Sequence, residues 1–168
     1  MDTKTSKIIK PHHVNYVVSD LDQTIPFYRD VLGFKLIQDS LRENLPSYDT
    51  LMGVQGVRLR VALFDLPGTD ILLELFQFFH PQPIVQRVSF HGIGSSHIAL
   101  EIRDLDALFA KIVSHGGKTL SAPTDIYREG QLIARAMYTL DPDGIVLEMF
   151  EPNAVGRERI PGFQNKAE

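Results

Sequence analysis

Residues 13–22 read HVNYVVSDLD, and residues 97–106 read HIALEIRDLD. When His13 is aligned with His97, four positions are identical and two more exchange valine for isoleucine. A second block matches at a slightly smaller offset and carries Ala62, Leu66, Ile71, Leu73, Glu74 and Phe76 onto Ala136, Leu140, Ile145, Leu147, Glu148 and Phe150. Both offsets preserve residue type and order, so the chain contains two copies of one supersecondary unit. The difference between the offsets indicates an insertion of ten residues in the first copy, between Leu36 and Val57.

Each copy is predicted to be a βαβββ unit. The apolar run that opens each copy has the length and the β-branched residues of a strand. A helix follows, which begins at Asp20 in the first copy and at Asp104 or Asp106 in the second, and Gly33 and residues 116–117 end the two helices. We expect Pro26 near the first turn of a helix that runs to about residue 32, because a missing N–H costs little there. Turn formers at residues 66–70 and 141–144 join the last two strands of each copy.

Composition limits the classes of function open to the chain. Its 168 residues include 17 Lys and Arg against 21 Asp and Glu, without a basic block, which argues against nucleic-acid binding. It has no apolar run of the roughly 20 residues that cross a bilayer, and its first residues, MDTKTSK, lack the apolar core of a secretory signal. It has no cysteine, so a metal site would use His, Asp, Glu and water. We expect a cytoplasmic protein that binds neither nucleic acid nor membrane.

One histidine and one glutamate occupy matching positions in each copy: His13 and Glu74 in the first, His97 and Glu148 in the second. Both glutamates lie in apolar runs, ILLELF and IVLEMF, where an unpaired carboxylate is costly to bury. If the two units pack with pseudo-two-fold symmetry, the four side chains converge between them. Two imidazoles and two carboxylates favour Fe²⁺, Co²⁺, Ni²⁺, Mn²⁺ or Zn²⁺ over Ca²⁺ or Mg²⁺. Structural histidines and solvent-facing glutamates are the alternatives, but the recurrence in register favours metal ligands.

The other histidines are predicted not to bind metal. His12 is expected on the opposite face of the strand from His13, because side chains alternate along a strand, and Ser96 stands at its position in the second copy. Three more histidines have no counterpart in the other copy: His80, His91 and His115. Replacement of His13 or His97 by alanine is therefore expected to cost metal affinity, and His12→Ala is expected to leave it unchanged.

The insertion and an aromatic cluster are candidates for substrate contact. Residues 38–56 hold the insertion, and a loop of that length is more often functional than idle. We expect it to form a mobile flap with Arg42 or Tyr48 within reach of a substrate. The cluster that follows Glu74 indicates either an apolar or aromatic substrate surface or plain core packing: Phe76, Phe78 and Phe79.

The predicted organisation is one domain built from two modules. Its parts are a first module at residues 10–80, a connector at 81–96, a second module at 97–152 and a C-terminal tail at 153–168. The tail has no clear periodicity and is expected to fray.

Residues 10–152 resemble the vicinal oxygen chelate superfamily, which includes glyoxalase I, methylmalonyl-CoA epimerase, bleomycin-resistance proteins and extradiol dioxygenases. The motifs that carry the resemblance are residues 13–22, the sequence FYRDVLGF at 27–34, HIAL at 97–100, and DPDG at 141–144 leading to Glu148. The resemblance implies an α+β fold in which two tandem βαβββ modules form a cupped mixed sheet around a divalent metal. It also implies that His13, Glu74, His97 and Glu148 are the metal ligands. Members of this superfamily pair their modules either within a chain or across a dimer, and we expect a homodimer.

The order His, Glu, His, Glu is that of bacterial glyoxalase I and places the chain in a glyoxalase-like branch. The resemblance then implies a lyase or isomerase whose small substrate chelates the metal through adjacent oxygens and passes through an enediolate, with Glu148 or Glu74 as the base. Residues 16–18 and 75–78 lack the Arg, Thr and Asn by which glyoxalase I recognises glutathione. The alternatives are a metal-free sequestration protein of the bleomycin-resistance type and an Fe(II) extradiol-type dioxygenase.

Overall fold

The structure, a computed structural model, describes residues 6–85 and 90–161. Part of the predicted connector, residues 86–89, and the end of the predicted tail, residues 162–168, lie outside the described residues. The chain divides into two compact units, Met1–Ile84 and Val85–Glu168, and the boundary falls within the predicted connector.

The first unit contains a four-stranded sheet. Its strands are β1 (His13–Val17), β2 (Leu36–Arg42), β3 (Arg58–Asp65) and β4 (Leu72–His80), and they lie in the order β1-β4-β3-β2. The β1–β4 pair is parallel, while β4–β3 and β3–β2 are antiparallel. Helix α1 (Leu21–Pro26) leads into a π-helical segment, Phe27–Val31, and helix α2 (Pro46–Met52) lies between β2 and β3.

The second unit repeats this arrangement with one strand divided. Its strands are β5 (Ile98–Glu101), β6 (Lys118–Thr119), β7 (Thr124–Arg128), β8 (Gln131–Leu140) and β9 (Val146–Pro152). They lie in the order β5-β9-β8-β6, with β7 also paired to β8, and β5–β9 is the parallel pair. Helix α3 (Leu105–Ser114) follows β5, and helix α4 (Ala154–Arg159) follows β9. Pro123, which has no N–H, lies in the break between β6 and β7. The predicted α+β fold of two βαβββ units is therefore confirmed.

Alternation along the strands gives each sheet two different faces. In the first unit, one face packs against α1 and the π-helical segment, and Tyr28, Phe64, Leu73 and Leu75 are fully buried there. The rings of Tyr28 and Phe64 lie 5.8 Å apart. Burial of each large apolar side chain contributes roughly 1.5–3 kcal/mol. Glu74, between two of these buried leucines, belongs to the opposite face, which is called the site face below.

An arginine ties the helix to the sheet in the same way in both units. Arg60 on β3 donates to Asp22 on α1 at 2.7 Å and to Asp39 on β2 at 2.6 and 2.7 Å. Arg135 on β8 donates to Asp106 on α3 at 2.5 and 3.0 Å. Asp22 and Asp106 match when His13 is aligned with His97, so the duplication extends to the ion pairs that hold each helix in place.

The registers of β3 with β4 and of β8 with β9 correct the alignment of β3 with β8. Leu63 lies opposite Glu74 on β4, and Tyr138 lies opposite Glu148 on β9. Leu63 and Tyr138 are therefore equivalent, and the predicted matches of Ala62 with Ala136 and of Leu66 with Leu140 are wrong by one residue. The cause is the turn before the last strand, which contains residues 66–71 in the first unit and only residues 141–145 in the second.

The helix ends agree with the predictions, except for the position of Pro26. Asp20 and Asp104 cap the two helices through bonds to Asp22 N and Ala107 N. Gly33 has a φ of 79° and follows the first helix as predicted, in a conformation that favours glycine. Pro26, however, is the last residue of α1 rather than part of its first turn. The chain continues past it in the wider π-helical turn, in which Leu32 N donates to the carbonyl of Phe27.

The predicted tail is partly helical, which the sequence analysis did not anticipate. Asn153 caps α4 through a 2.8 Å bond from the N–H of Gly156. A Cβ at Gly156 would collide with the carbonyl oxygen of Ile133, so only glycine lets this helix approach β8 so closely. Residues 154–159 therefore belong to the packed structure of the second unit.

Candidate functional site

The first unit brings His13 and Glu74 together at one end of its site face. Asn15 lies opposite Glu74 in the parallel β1–β4 register, and His13 is the first residue of β1. His13 Nε2 lies 3.5 Å from Glu74 Oε2, and Asn15 Nδ2 donates to the same oxygen at 3.1 Å. The side chain of Glu74 is 17% exposed and that of His13 is 44% exposed. This is an accessible imidazole beside a largely buried carboxylate.

The second unit forms the corresponding pair from His97 and Glu148. Ala99 lies opposite Glu148 in the parallel β5–β9 register, which is the position that Asn15 has opposite Glu74. His97 directly precedes β5. His97 Nε2 lies 3.0 Å from Glu148 Oε2, and the glutamate side chain is 19% exposed. The two pairs thus share the same strand register, the same contacting histidine nitrogen and nearly the same exposure of the glutamate side chain.

The spacing within each pair suits ligands that share one metal ion. Two donor atoms about 2.1 Å from an ion, at an angle of about 90–110°, lie about 3.0–3.4 Å apart. The Nε2–Oε2 distances of 3.5 and 3.0 Å are close to that range. Within either unit, the described residues contain no group of three His, Asp or Glu side chains that could hold a metal. Each unit holds two candidate ligands.

Tyr138 is a third side chain beside His97 and Glu148, and no pattern in the sequence had pointed to it. Its hydroxyl is hydrogen-bonded to Glu148, which lies opposite it in the β8–β9 register. Burial raises the pKa of Tyr138 above its usual range, and the charge of Glu148 and the hydrogen bond to it raise that pKa further. The phenol therefore remains protonated at neutral pH and donates to the carboxylate.

Phe90 is a second aromatic residue in contact with the ring of His97. Its ring stacks on His97 with centroids 6.2 Å apart and lies 4.6 Å from the ring of Tyr138. Tyr138 meets His97 edge-on at 5.4 Å. A search for aromatic residues on the strand opposite each glutamate would have found Tyr138, provided the one-residue difference in turn length was known. Nothing in the sequence pattern marks Phe90.

Phe76, one of the residues predicted to contact a substrate, lies on the same strand as Glu74. It is two residues beyond Glu74 on the site face and lies opposite Val17 and Val61. Tyr48, on α2, packs with Phe76 and Phe78 against a core of Val57, Leu59 and Val61. Arg42 lies opposite Leu59 at the end of β2, further along the same face. Phe76 and Phe78 therefore pack against this core, and both rings are only partly buried.

Two details of the expected flap and aromatic cluster differ in the structure. Residues 38–42 belong to β2, so the inserted segment is limited to residues 43–57 and contains α2. Its end is held by Asp49, which accepts hydrogen bonds from the N–H groups of Gly56 and Val57 at 2.8 Å each. Phe79 is outside the cluster of Phe76 and Phe78, and the guanidinium of Arg58 lies 4.8 Å from its ring centre.

His12 is not separated from His13 in the way strand alternation predicted. It precedes the first residue of β1, where regular alternation does not yet apply. The two rings meet edge-on with centroids 5.1 Å apart, and their Nδ1 atoms are 2.8 Å apart.

Comparison with known proteins identifies the family. The family model described as Glyoxalase/Bleomycin resistance protein/Dioxygenase superfamily matches residues 10–149. The chain belongs to this superfamily. A solved glyoxalase family protein of Bacillus cereus shares the superfamily fold, with a TM-score of 0.77 and 20% identity over 89% of this chain and 98% of the other.

Curated relatives of this superfamily member include proteins named as enzymes. The uncharacterized protein YaeR of Escherichia coli is 29% identical, covering 83% of this chain and 94% of the relative. A 2-epi-5-epi-valiolone epimerase of Actinomyces is 28% identical, covering 82% and 76%. The lactoylglutathione lyase GLX1 of Arabidopsis thaliana is also 28% identical, covering 83% of this chain and 43% of the relative. Within the described part of this superfamily member, no helix has the length and apolar character needed to span a membrane.

Proposed function

We propose that this protein is a divalent-metal-dependent lyase or isomerase that acts on a small substrate with two adjacent oxygens. The observation that carries the proposal is the pair of equivalent His–Glu contacts, one in each unit, with nitrogen–oxygen distances of 3.5 and 3.0 Å. A structural role would not require the same two residue types at the same register in both units. Relatives named as an epimerase and as a lyase support a reaction of this class.

The four side chains would hold the metal through two imidazole nitrogens and two carboxylate oxygens. His13 and Glu74 supply one half of this set, and His97 and Glu148 supply the other. The donor set suits Ni²⁺, Co²⁺, Mn²⁺, Fe²⁺ or Zn²⁺. When bound, such an ion polarises the neighbouring oxygens of a substrate and makes the adjacent C–H bond more acidic. Water and substrate would occupy the remaining coordination positions.

Glu148 is the proposed base, with Glu74 as the alternative. A base that takes a proton must keep a hydrogen-bond partner afterwards. The hydroxyl of Tyr138 can both donate and accept a hydrogen bond, so it can stay bonded to Glu148 before and after the carboxylate takes a proton. The amide nitrogen that Asn15 presents to Glu74 only donates, so it cannot accept a hydrogen bond from a proton placed on that oxygen. The two hydrogen-bond partners therefore favour Glu148 over Glu74 as the base.

The site face favours an apolar group beside the chelating oxygens of the substrate. Phe76 follows Glu74 on this face, and Val17, its neighbour on β1, is 50% exposed. Tyr48 packs in the same cluster, and Arg42 would be reached only by a substrate that extends along β4 towards α2. We propose Phe76 as the first apolar contact of the substrate.

Metal content and proton exchange test the proposed function together. Purified protein is expected to contain a divalent metal and to catalyse deuterium incorporation, in D₂O, at the carbon next to the carbonyl of small 2-hydroxy carbonyl compounds. At a metal concentration that keeps the site loaded, Glu148→Gln is expected to lose exchange by roughly 10²–10⁴-fold. Glu74→Gln is the matched variant, and a larger loss of exchange there would reverse the assignment of the base.

Three outcomes would contradict the proposal. Protein without tight metal and without a thermal shift on adding Ni²⁺, Co²⁺ or Zn²⁺ would indicate a sequestration protein. Oxygen uptake with catechols and a strict need for Fe²⁺ would indicate a dioxygenase. Full metal binding and full exchange in both glutamine variants would show that the glutamates are structural. Sedimentation velocity would test the proposed homodimer separately.

A further inference from the structure

The side chains of His12 and His13 share a hydrogen bond between matching nitrogens. Their Nδ1 atoms are 2.8 Å apart, and the ring planes are nearly perpendicular, at 88°. A neutral imidazole carries one N–H, so one of the two Nδ1 atoms donates and the other accepts. Whichever ring donates has its lone pair on Nε2.

The second nitrogen of His13 determines which way this bond runs when a metal is bound. His13 Nε2 lies 3.5 Å from Glu74 Oε2, on the metal-binding side of the ring. A metal at that position requires the lone pair on Nε2, so the proton of His13 must be on Nδ1. His13 Nδ1 then donates to His12 Nδ1, and His12 carries its own proton on Nε2.

We infer that His12 is a positioning residue, which holds the ring of His13 in the tautomer and orientation that bind metal through Nε2. This inference rests on the proposed function, because it takes His13 as a metal ligand. Partners of this kind typically change metal affinity by about 10–100-fold. The inference reverses the sequence-based expectation that His12→Ala leaves metal binding unchanged.

The backbone of His12 is held beside the start of β4. Its carbonyl accepts a 3.1 Å hydrogen bond from the N–H of Leu72, at the start of β4. In the second unit the preceding residue is Ser96, and the ring of His97 is instead packed by Phe90 and Tyr138. The two halves of the duplication thus orient equivalent histidines by different means.

Two measurements test this role in the full-length protein. The first is the hydrogen bond of the His13 Nδ1–H in Zn²⁺-loaded protein at pH 8, from the NMR chemical shift of that proton and its rate of exchange with solvent. The second is Ni²⁺ affinity, from competition with a chelator. In the wild type, the His13 Nδ1–H is expected to exchange slowly with solvent, because it is hydrogen-bonded to His12. His12→Phe keeps a ring but has no acceptor, so it is expected to speed this exchange and to weaken Ni²⁺ binding by about tenfold or more.

Three further variants make the test specific. His12→Asn can present a carbonyl oxygen near the position of Nδ1 and is expected to restore both readouts. Ser96→Ala changes the matched position of the second unit and is expected to leave both unchanged. A wild-type His13 Nδ1–H that exchanges as fast as in His12→Phe, or a His12→Phe protein with wild-type Ni²⁺ affinity, would overturn the inference. If His13→Ala also binds Ni²⁺ normally, the proposed metal site itself is wrong.

Discussion

At the scale of single residues, the two glutamates differ in the partner that holds them. Glu148 is bonded to the phenol of Tyr138, while Glu74 is bonded to the amide of Asn15. We predict that Tyr138→Phe lowers metal affinity by about tenfold, because it removes the donor that orients a ligating carboxylate. Chelator competition would measure this. Tyr127→Phe, on the exposed strand β7, is the control and is expected to have no effect.

The raised pKa of Tyr138 predicts a pH dependence of stability. The unfolded chain loses the phenolic proton near pH 10, whereas the folded protein keeps it to higher pH. The contribution of this group to stability is therefore complete below pH 10 and is lost as the pH rises through the folded pKa. Urea unfolding of wild type and Tyr138→Phe from pH 8 to 11 should show the wild type losing free energy of unfolding faster. Parallel pH curves for the two proteins would contradict this prediction.

At the scale of secondary-structure elements, Arg60 links α1, β2 and β3. Its hydrogen bonds to Asp39 hold the pKa of that carboxyl below its usual range. The stabilisation is therefore present above about pH 4 and is lost as the pH falls through the folded pKa. We predict that Asp39→Asn lowers the free energy of unfolding at pH 7 by roughly 1–2 kcal/mol and flattens its fall in acid.

Chemical denaturation between pH 2 and pH 7 would measure this effect. Asp70→Asn is the control, because the side chain of Asp70 is 88% exposed and its contact with Lys10 is 3.5 Å long. An acid profile of Asp39→Asn that matches the wild type would show that the link between the two strands contributes little.

The carboxylate of Asp49 holds the end of the segment that contains α2. Asp49 accepts bonds from two consecutive N–H groups, which lower the pKa of its carboxyl group. We predict that Asp49→Ala releases these groups and increases proteolytic cleavage within residues 43–57 by several-fold. Mass spectrometry of the fragments would locate the cuts. Ser47→Ala, at an exposed position of the same helix, should leave the cleavage rate unchanged.

At the scale of the whole molecule, the ligand candidates are divided equally between the two units. A metal that binds both pairs would stabilise the folded chain by about 2.7 kcal/mol at a free concentration 100 times its Kd. For a protein of this size, that corresponds to a rise in Tm of roughly 5–10 °C. We predict this rise with Ni²⁺ and its reversal by EDTA. Alanine at any one of the four proposed ligands should abolish most of it.

His115→Ala is the control for the thermal measurement. His115 ends α3, where its Nδ1 lies 2.8 Å from the carbonyl oxygen of Lys111. It is expected to show the full Ni²⁺-dependent rise in Tm. A rise that survives replacement of both His13 and His97 would place the metal elsewhere.

The sequence by itself determined the duplication, the fold class and the His–Glu pairs. These follow from local patterns: an apolar run, a capping aspartate, a helical stripe and a terminal glycine recur in order, so two βαβββ units are the expected result. His13 and Glu74, and their counterparts His97 and Glu148, could be recognised because the same residue types recur within these matched patterns.

Only the tertiary structure decided which side chains accompany each pair. Side chains alternate between the faces of a sheet, so one residue fewer in the turn before β9 moves Tyr138 onto the face of Glu148. At the offset that aligns Glu74 with Glu148, Tyr138 would have matched Phe64, which packs against the helix. His12 pairs with His13 because it precedes the regular strand. Turn length and strand ends set these contacts, and neither follows from residue periodicity.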